Sequence, residues 1–177
     1  MTHRRPAALL DEEGLFNYAL KSLGSRALST GELRLKLKRR AASAADVEKV
    51  LARLKEYGYL NDKLFAELFA SRRLENEGFG KSRVLADLRA KRVAPSIAEK
   101  AVHETFADTD EVALIEGFLA RKYRRQPLSD IISEPKGLAS AYRKLRAAGF
   151  SHTNSMRVLK GHGKDAEILD ALDAQSE

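Results

Sequence analysis

Cysteine is absent from the 177-residue sequence. That excludes a disulfide framework, a thiol nucleophile and cysteine-ligated zinc or iron–sulfur sites. No staple is needed, because a packed chain of this length buries roughly 70% of its unfolded surface. Proline is scarce, at Pro6, Pro95, Pro127 and Pro135 only. No apolar run approaches the ~20 residues of a membrane span, and the N-terminus lacks a signal-peptide apolar stretch. The expected compartment is therefore the cytoplasm, with no membrane contact. Strand-like alternation is nearly missing too. Its one imitation, Leu33-Arg34-Leu35-Lys36-Leu37, follows Ser29-x-x-Glu32, a capping box, and reads as helix. In that register Leu35 leaves the apolar stripe and must find a neighbour or stay exposed.

The usual signs of catalysis are equally thin. His3, His103, His152 and His162 form no His-x-x-x-His pair and no nucleophile–histidine–acid order. Gly80-Lys81-Ser82 imitates the end of a phosphate-binding loop, but Glu75 stands where its first glycine belongs, and no strand precedes it. Glu12/Glu13 and Asp110/Glu111 fall at expected helix starts, where the macrodipole favours carboxylates. We expect no enzymatic activity, no catalytic residue, no metal and no cofactor.

What the chain has in plenty is helix-forming Ala, Leu, Lys, Arg and Glu, arranged as a repeat. An apolar quartet recurs three times: Leu15, Phe16, Ala19, Leu20; then Leu64, Phe65, Leu68, Phe69; then Leu114, Ile115, Phe118, Leu119. The spacings are 49 and 50. Downstream come Leu33/Leu37, Val84/Leu88 and Ala141/Leu145, then Val50/Leu51, Ala101/Val102 and Val158/Leu159, both sets at offsets of 51 and 57. Helix starters precede the second helix at Ser29, Gly80 and Gly137. Gly58 and Gly149-Phe150 read as helix stops, and Asp62 and Asp108 as N-caps. The longer last offset places extra loop around Gln126-Pro127-Leu128-Ser129 and Glu134-Pro135-Lys136-Gly137.

The expected fold is all-α, three tandem three-helix repeats without a β-sheet. Repeats span 14–62, 63–110 and 111–162, after an N-terminal segment over 1–13 and before an acidic tail over 163–177. Gly161-His162-Gly163 reads as the hinge to that tail. Leu37, Leu88 and Leu145 are expected to be equivalent buried positions.

Net charge is +7, which points to anionic partners. It is uneven: +5 over residues 1–63, −1 over 64–111 and +3 over 112–177. Arg34, Lys36, Lys38, Arg39 and Arg40 crowd one helix, and Arg121, Lys122, Arg124 and Arg125 another. Glu32 is the only acid between Glu13 and Asp46. Helical spacing pairs Arg34 with Lys38 and Lys36 with Arg40, mutually repelling unless an anion lies nearby. A solvated helix face is the ordinary reading of such runs; a phosphate backbone or an acidic protein groove is the functional one. Tyr123, inside the later cluster, is expected to pack rather than stack on a base. Basic outer repeats around a near-neutral middle suit anchoring at two separated points.

Arg26-x-x-Ser29-x-x-Glu32-Leu33-x-x-Lys36-Leu37, Gly58-Tyr59-Leu60-Asn61-Asp62-x-x-Phe65-Ala66, Gly80-Lys81-Ser82-Arg83-Val84-x-x-Asp87-Leu88-x-x-Lys91 and Ala148-Gly149-Phe150 resemble signatures of the RecX family over roughly residues 14–162. The pattern departs at Arg92, where Gly is more usual after Lys91. The resemblance implies an elongated, curved array of three-helix units lying in the groove of the RecA nucleoprotein filament. It also implies a non-enzymatic negative regulator of RecA ATPase and strand exchange, active in recombination, DNA repair and the SOS response. Implied partners are RecA with single- and double-stranded DNA, bound by a monomer. The alternative is a helical protein that binds single-stranded DNA and acts by competition for it. Candidate contacts are Arg34, Lys36, Lys38, Arg39, Arg40, Arg72, Arg73, Lys81, Arg83, Lys91, Arg121, Lys122, Arg124, Arg125, Arg143 and Arg146.

Overall fold

A computed structural model describes residues 9–162. The acidic tail and the end of the Gly161-His162-Gly163 hinge lie outside the described residues. Ten α-helices are present among the described residues, and no strand: α1 Glu12–Ser25, α2 Thr30–Lys38, α3 Ala44–Glu56, α4 Asp62–Arg72, α5 Lys81–Ala90, α6 Pro95–Thr105, α7 Glu111–Lys122, α8 Leu128–Ile132, α9 Pro135–Ala147 and α10 His152–His162. A π-helical turn, Arg73–Glu77, extends α4.

Most helices are too short to stand alone in water, so a buried face and, at several helix starts, a side-chain cap hold them. Asp11 accepts from the Gly14 amide, Ser43 from Ala45 and Asn61 from Leu64. The capping box at α2 forms fully, with Ser29 Oγ accepting from the Glu32 amide at 3.0 Å. Two caps differ from expectation. Asp110, not Asp108, caps α7. Asn61 caps α4, which frees the Asp62 carboxylate to accept the Thr30 amide at 2.7 Å. The expected loop before α9 holds the five-residue α8, and Pro135 takes the N1 position of α9, where its missing N–H costs nothing. Gly137 thus lies inside α9, and Gly161-His162 continues α10 instead of breaking it.

The chain forms two compact units, Met1–Leu68 with Leu88–Ala101 and Phe69–Asp87 with Val102–Glu177. The core of the first holds Leu15, Ala19, Leu33, Leu37, Val47, Val50, Leu51 and Leu54. That of the second holds Ile115, Leu119, Ile132, Leu138, Ala141, Leu145, Phe150 and Leu159. Leu37, Leu88 and Leu145 are each fully buried, while Leu35 stays exposed.

One stripe is corrected. Leu64 and Leu68 are about half exposed, at 50% and 51%, and the buried positions of α4 are Ala66 and Ala70. These stand 51 residues after buried Leu15 and Ala19, the same offset that relates the second and third helices. The quartet spacing of 49 was two residues out of register, about 200° around a helix, which puts the stripe on nearly the opposite face. From α4 to α7 the buried offset is 49, to Ile115 and Leu119, against 57 for the next helices. Repeat three therefore gains eight residues between its first two helices, and α8 is made from them.

Helix ends link one repeat to the next. α5 and α9 stop in the same way: Val93 N–H donates to Leu88 and Phe150 N–H to Leu145, the Schellman pattern, which needs a left-handed residue. Gly149 supplies it with φ 88°, and Arg92 supplies it with φ 59°. The carbonyl just before that residue is then served by the preceding repeat. Ser29 Oγ donates to the Lys91 carbonyl, and Gly80 N–H donates to that of Ala148 at 2.9 Å. Approach is so close that a Cβ on Gly31 would run into the Arg92 carbonyl, and one on Gly80 into that of Gly149.

Candidate functional site

The sixteen candidate cations divide by what they touch. In α2, Arg34 makes a two-pronged contact with Glu48, Nε to Oε1 at 2.9 Å and a terminal nitrogen to Oε2 at 3.1 Å. This hydrogen bonding raises the arginine's pKa and lowers that of Glu48, which also feels Lys38. One turn on, the Lys36 ammonium and the Arg40 guanidinium lie 5.6 and 5.4 Å from the centre of the Tyr18 ring, a cation–π arrangement. The expected repulsion along α2 is thus relieved internally, by Glu48 on one side and Tyr18 on the other. Lys38 and Arg39 are left exposed at the helix end.

Arg73 and Arg83 are also engaged. Their guanidinium carbons lie 5.6 and 5.3 Å from the Phe79 ring centre, and both contact Asp87, at 3.2 and 3.1 Å. Arg73 further pairs with Glu77. Two guanidinium groups beside one ring, joined by a shared carboxylate, form a packing device. Lys91 pairs with Glu32 at 3.2 Å, as does Arg26 at 3.3 Å. Burial pushes the Glu32 carboxyl up, but hydrogen bonds from Arg26 and Lys91 outweigh it and hold the group below its ordinary value. Arg146 donates to the Phe150 carbonyl. Arg72, Lys81 and Arg143 are exposed.

At the end of α7 the cations gather instead. Arg121 donates to the Glu77 carbonyl at 3.2 Å, while Lys122, Arg124 and Arg125 are exposed in the turn beyond. Residues Arg121–Gln126 and Ile131 line a shallow depression there. Tyr123 packs against the core beneath and accepts from Lys144 Nζ at 3.1 Å. The structure therefore brings together Lys36, Lys38, Arg39 and Arg40 in one unit, and Arg121, Lys122, Arg124 and Arg125 in the other.

Gly80-Lys81-Ser82 opens α5, yet its Gly80 and Ser82 amides donate to the Ala148 and Gly149 carbonyls and are not available to a phosphate. The neighbouring Glu111 accepts from the Ser151 amide and hydroxyl and from Asn154. Burial raises its pKa, and these bonds more than reverse that. Among the described residues no cluster of His, Asp or Glu is arranged to hold a metal ion. None of the described helices is long and apolar enough to cross a membrane.

A second surface escaped sequence reasoning. Leu20, Leu23, Ala27, Tyr59, Leu64 and Leu68 line an apolar groove in the first unit, and Tyr59 is 56% exposed. The signal was present: applying the 51-residue offset to the first helix turns Leu64 and Leu68 away from the core.

Family models for the first and second three-helix domains of RecX match residues 16–54 and 61–102. The regulatory protein RecX of Deinococcus radiodurans is 33% identical over 148 residues, covering 83% of this chain and 68% of the relative. That of Shigella sonnei is 35% identical over 145 residues, covering 75% and 81%. Among solved structures, a regulatory protein RecX matches with a TM-score of 0.65 at 19% identity, covering 84% of this chain and 71% of that one. RecX from Lactobacillus salivarius matches with 0.57 at 19% identity, covering 93% and 95%.

Proposed function

This chain belongs to the RecX family, and from that premise we propose that it is a non-enzymatic negative regulator of RecA, acting as a monomer in the groove of the RecA–DNA filament to inhibit ATP hydrolysis and strand exchange. The observation that carries this reading is the pair of cation clusters at the ends of α2 and α7. A helix C-terminus carries about half a negative charge, which one lysine or arginine satisfies. Four cations at each end exceed that need, and Lys38, Arg39, Lys122, Arg124 and Arg125 are exposed. An array of phosphates supplies the missing counter-charge. The apolar groove supports a protein contact beside the DNA contact, since exposed apolar patches mark interaction surfaces.

Competition for DNA alone would need only the cations. The two readings separate in a binding measurement between RecA and this protein without DNA. Filament regulation predicts saturable binding that weakens when Leu64 and Leu68 are changed to Asp. Absence of any binding until DNA is added would support the competition reading.

A further inference from the structure

The link between repeats has two halves. One is the carbonyl at the end of the second helix, at Arg40, Lys91 and Ala148, related by offsets of 51 and 57. The other is the N-terminus of the preceding repeat's second helix, which supplies the donor and the glycine against which the turn is seated. Within the chain the halves meet twice, at Ser29–Lys91 and Gly80–Ala148. A repeat array must then leave one unmatched half at each end.

Neither end is bare. At Arg40, in the first of the three repeats, Leu10 N–H donates to the carbonyl at 2.7 Å. The Leu10 carbonyl accepts from Ala42 at 2.9 Å, closing an isolated parallel bridge with Ala41. In the third repeat the matching surface lies at the start of α9. Gly137 holds the place of Gly80 57 residues on, and a Cβ there would run into the Ile131 carbonyl of α8. So α8, built from the eight residues special to repeat three, seats its last turn where a fourth repeat would seat its own.

We propose that the Leu10 segment and α8 are end caps, and that the surfaces beneath them are complementary halves of a head-to-tail junction whose partner is a second copy of this chain. The argument for that occupant is internal: the chain joins these two surfaces to each other twice. Such an interface is heterologous, one half meeting the other and not itself, so an uncapped chain assembles head to tail. The caps keep the first and third repeats from pairing with another copy.

The test is sedimentation equilibrium over a loading series, with circular dichroism to verify folding. The wild-type chain is expected to keep the mass of one 19.7 kDa chain. Deleting residues 126–133 together with Leu10→Pro, which removes the donor to Arg40, should make the mass climb with concentration. Adding Gly137→Leu should abolish that climb, because the seat for the incoming turn is filled. A folded, uncapped variant that stays monomeric overturns the proposal, as do oligomers indifferent to Gly137→Leu. Since Ile132 is buried, the deletion can cost the fold. In that event Ile131→Gly/Ser133→Gly, which loosens α8 but keeps Ile132, replaces it in the same comparison, with the same results deciding.

Discussion

Replacing Arg92 with glycine should stabilise the protein, although it deletes a whole side chain. Arg92 holds φ at 59°, in the left-handed region, where an L-residue carries a cost of roughly 1–2 kcal/mol that glycine escapes. Glycine gives back about 0.5–1 kcal/mol through its freer unfolded chain. The net expectation is a gain of about 0.5–1 kcal/mol, or a rise of about 1–4 °C in melting temperature for a chain of this size. The side chain is exposed, so little packing is lost. Arg92→Ala is the control, because alanine removes the same charge but keeps the Cβ; it should give none of the gain. Gly31→Ala should destabilise in either background, because the clash it creates is first with the Arg92 carbonyl, which glycine at 92 retains. Thermal unfolding of the four variants decides. A melting temperature lowered by Arg92→Gly, or raised equally by Arg92→Ala, would refute the backbone argument.

Leu37→Ala and Leu145→Ala each remove a fully buried leucine and should cost about 2–5 kcal/mol in urea unfolding, whereas Leu64→Ala on the exposed face should change stability by no more than about 0.5 kcal/mol. Glu32 and Glu111 titrate below the ordinary carboxylate value when folded, so their contribution is present above about pH 5 and is lost as pH falls through the folded pKa. Glu111→Gln should therefore lower stability at neutral pH and flatten the decline on the acid side, as read from urea midpoints across pH. Lys122→Ala/Arg124→Ala/Arg125→Ala should reduce the salt slope of single-stranded DNA binding by about 2, at roughly 0.7 per phosphate. Arg34→Ala, whose charge is already taken by Glu48, should leave the slope unchanged.

Periodicity made most of the fold legible. Ser29 and Glu32 announce α2, and Leu33/Leu37 with its two successors, all at one pair of offsets, locate the second-helix stripes. The first helix was harder, because α4 carries leucines on its exposed face and alanines on its buried one, so hydrophobicity alone chooses the wrong register. Charge counting found the ends of α2 and α7. It could not tell Arg39, which faces water, from Arg34, Arg73, Arg83 or Lys91, because their partners Glu48, Asp87 and Glu32 are placed by tertiary contacts. The departure at Arg92 was visible in sequence; that it occupies a left-handed turn seated on Gly31 is a property of the packed junction.

The central claim meets its most direct test in steady-state ATP hydrolysis by RecA on single-stranded DNA, titrated with this protein at sub-stoichiometric amounts. Multivalent contact with neighbouring protomers predicts inhibition beyond one-to-one stoichiometry by the wild-type chain. It also predicts loss of most of that inhibition in Lys38→Ala/Arg39→Ala/Lys122→Ala/Arg124→Ala/Arg125→Ala at unchanged melting temperature. Undiminished inhibition by that variant, or ATP hydrolysis unaffected by the wild-type chain, would contradict the account.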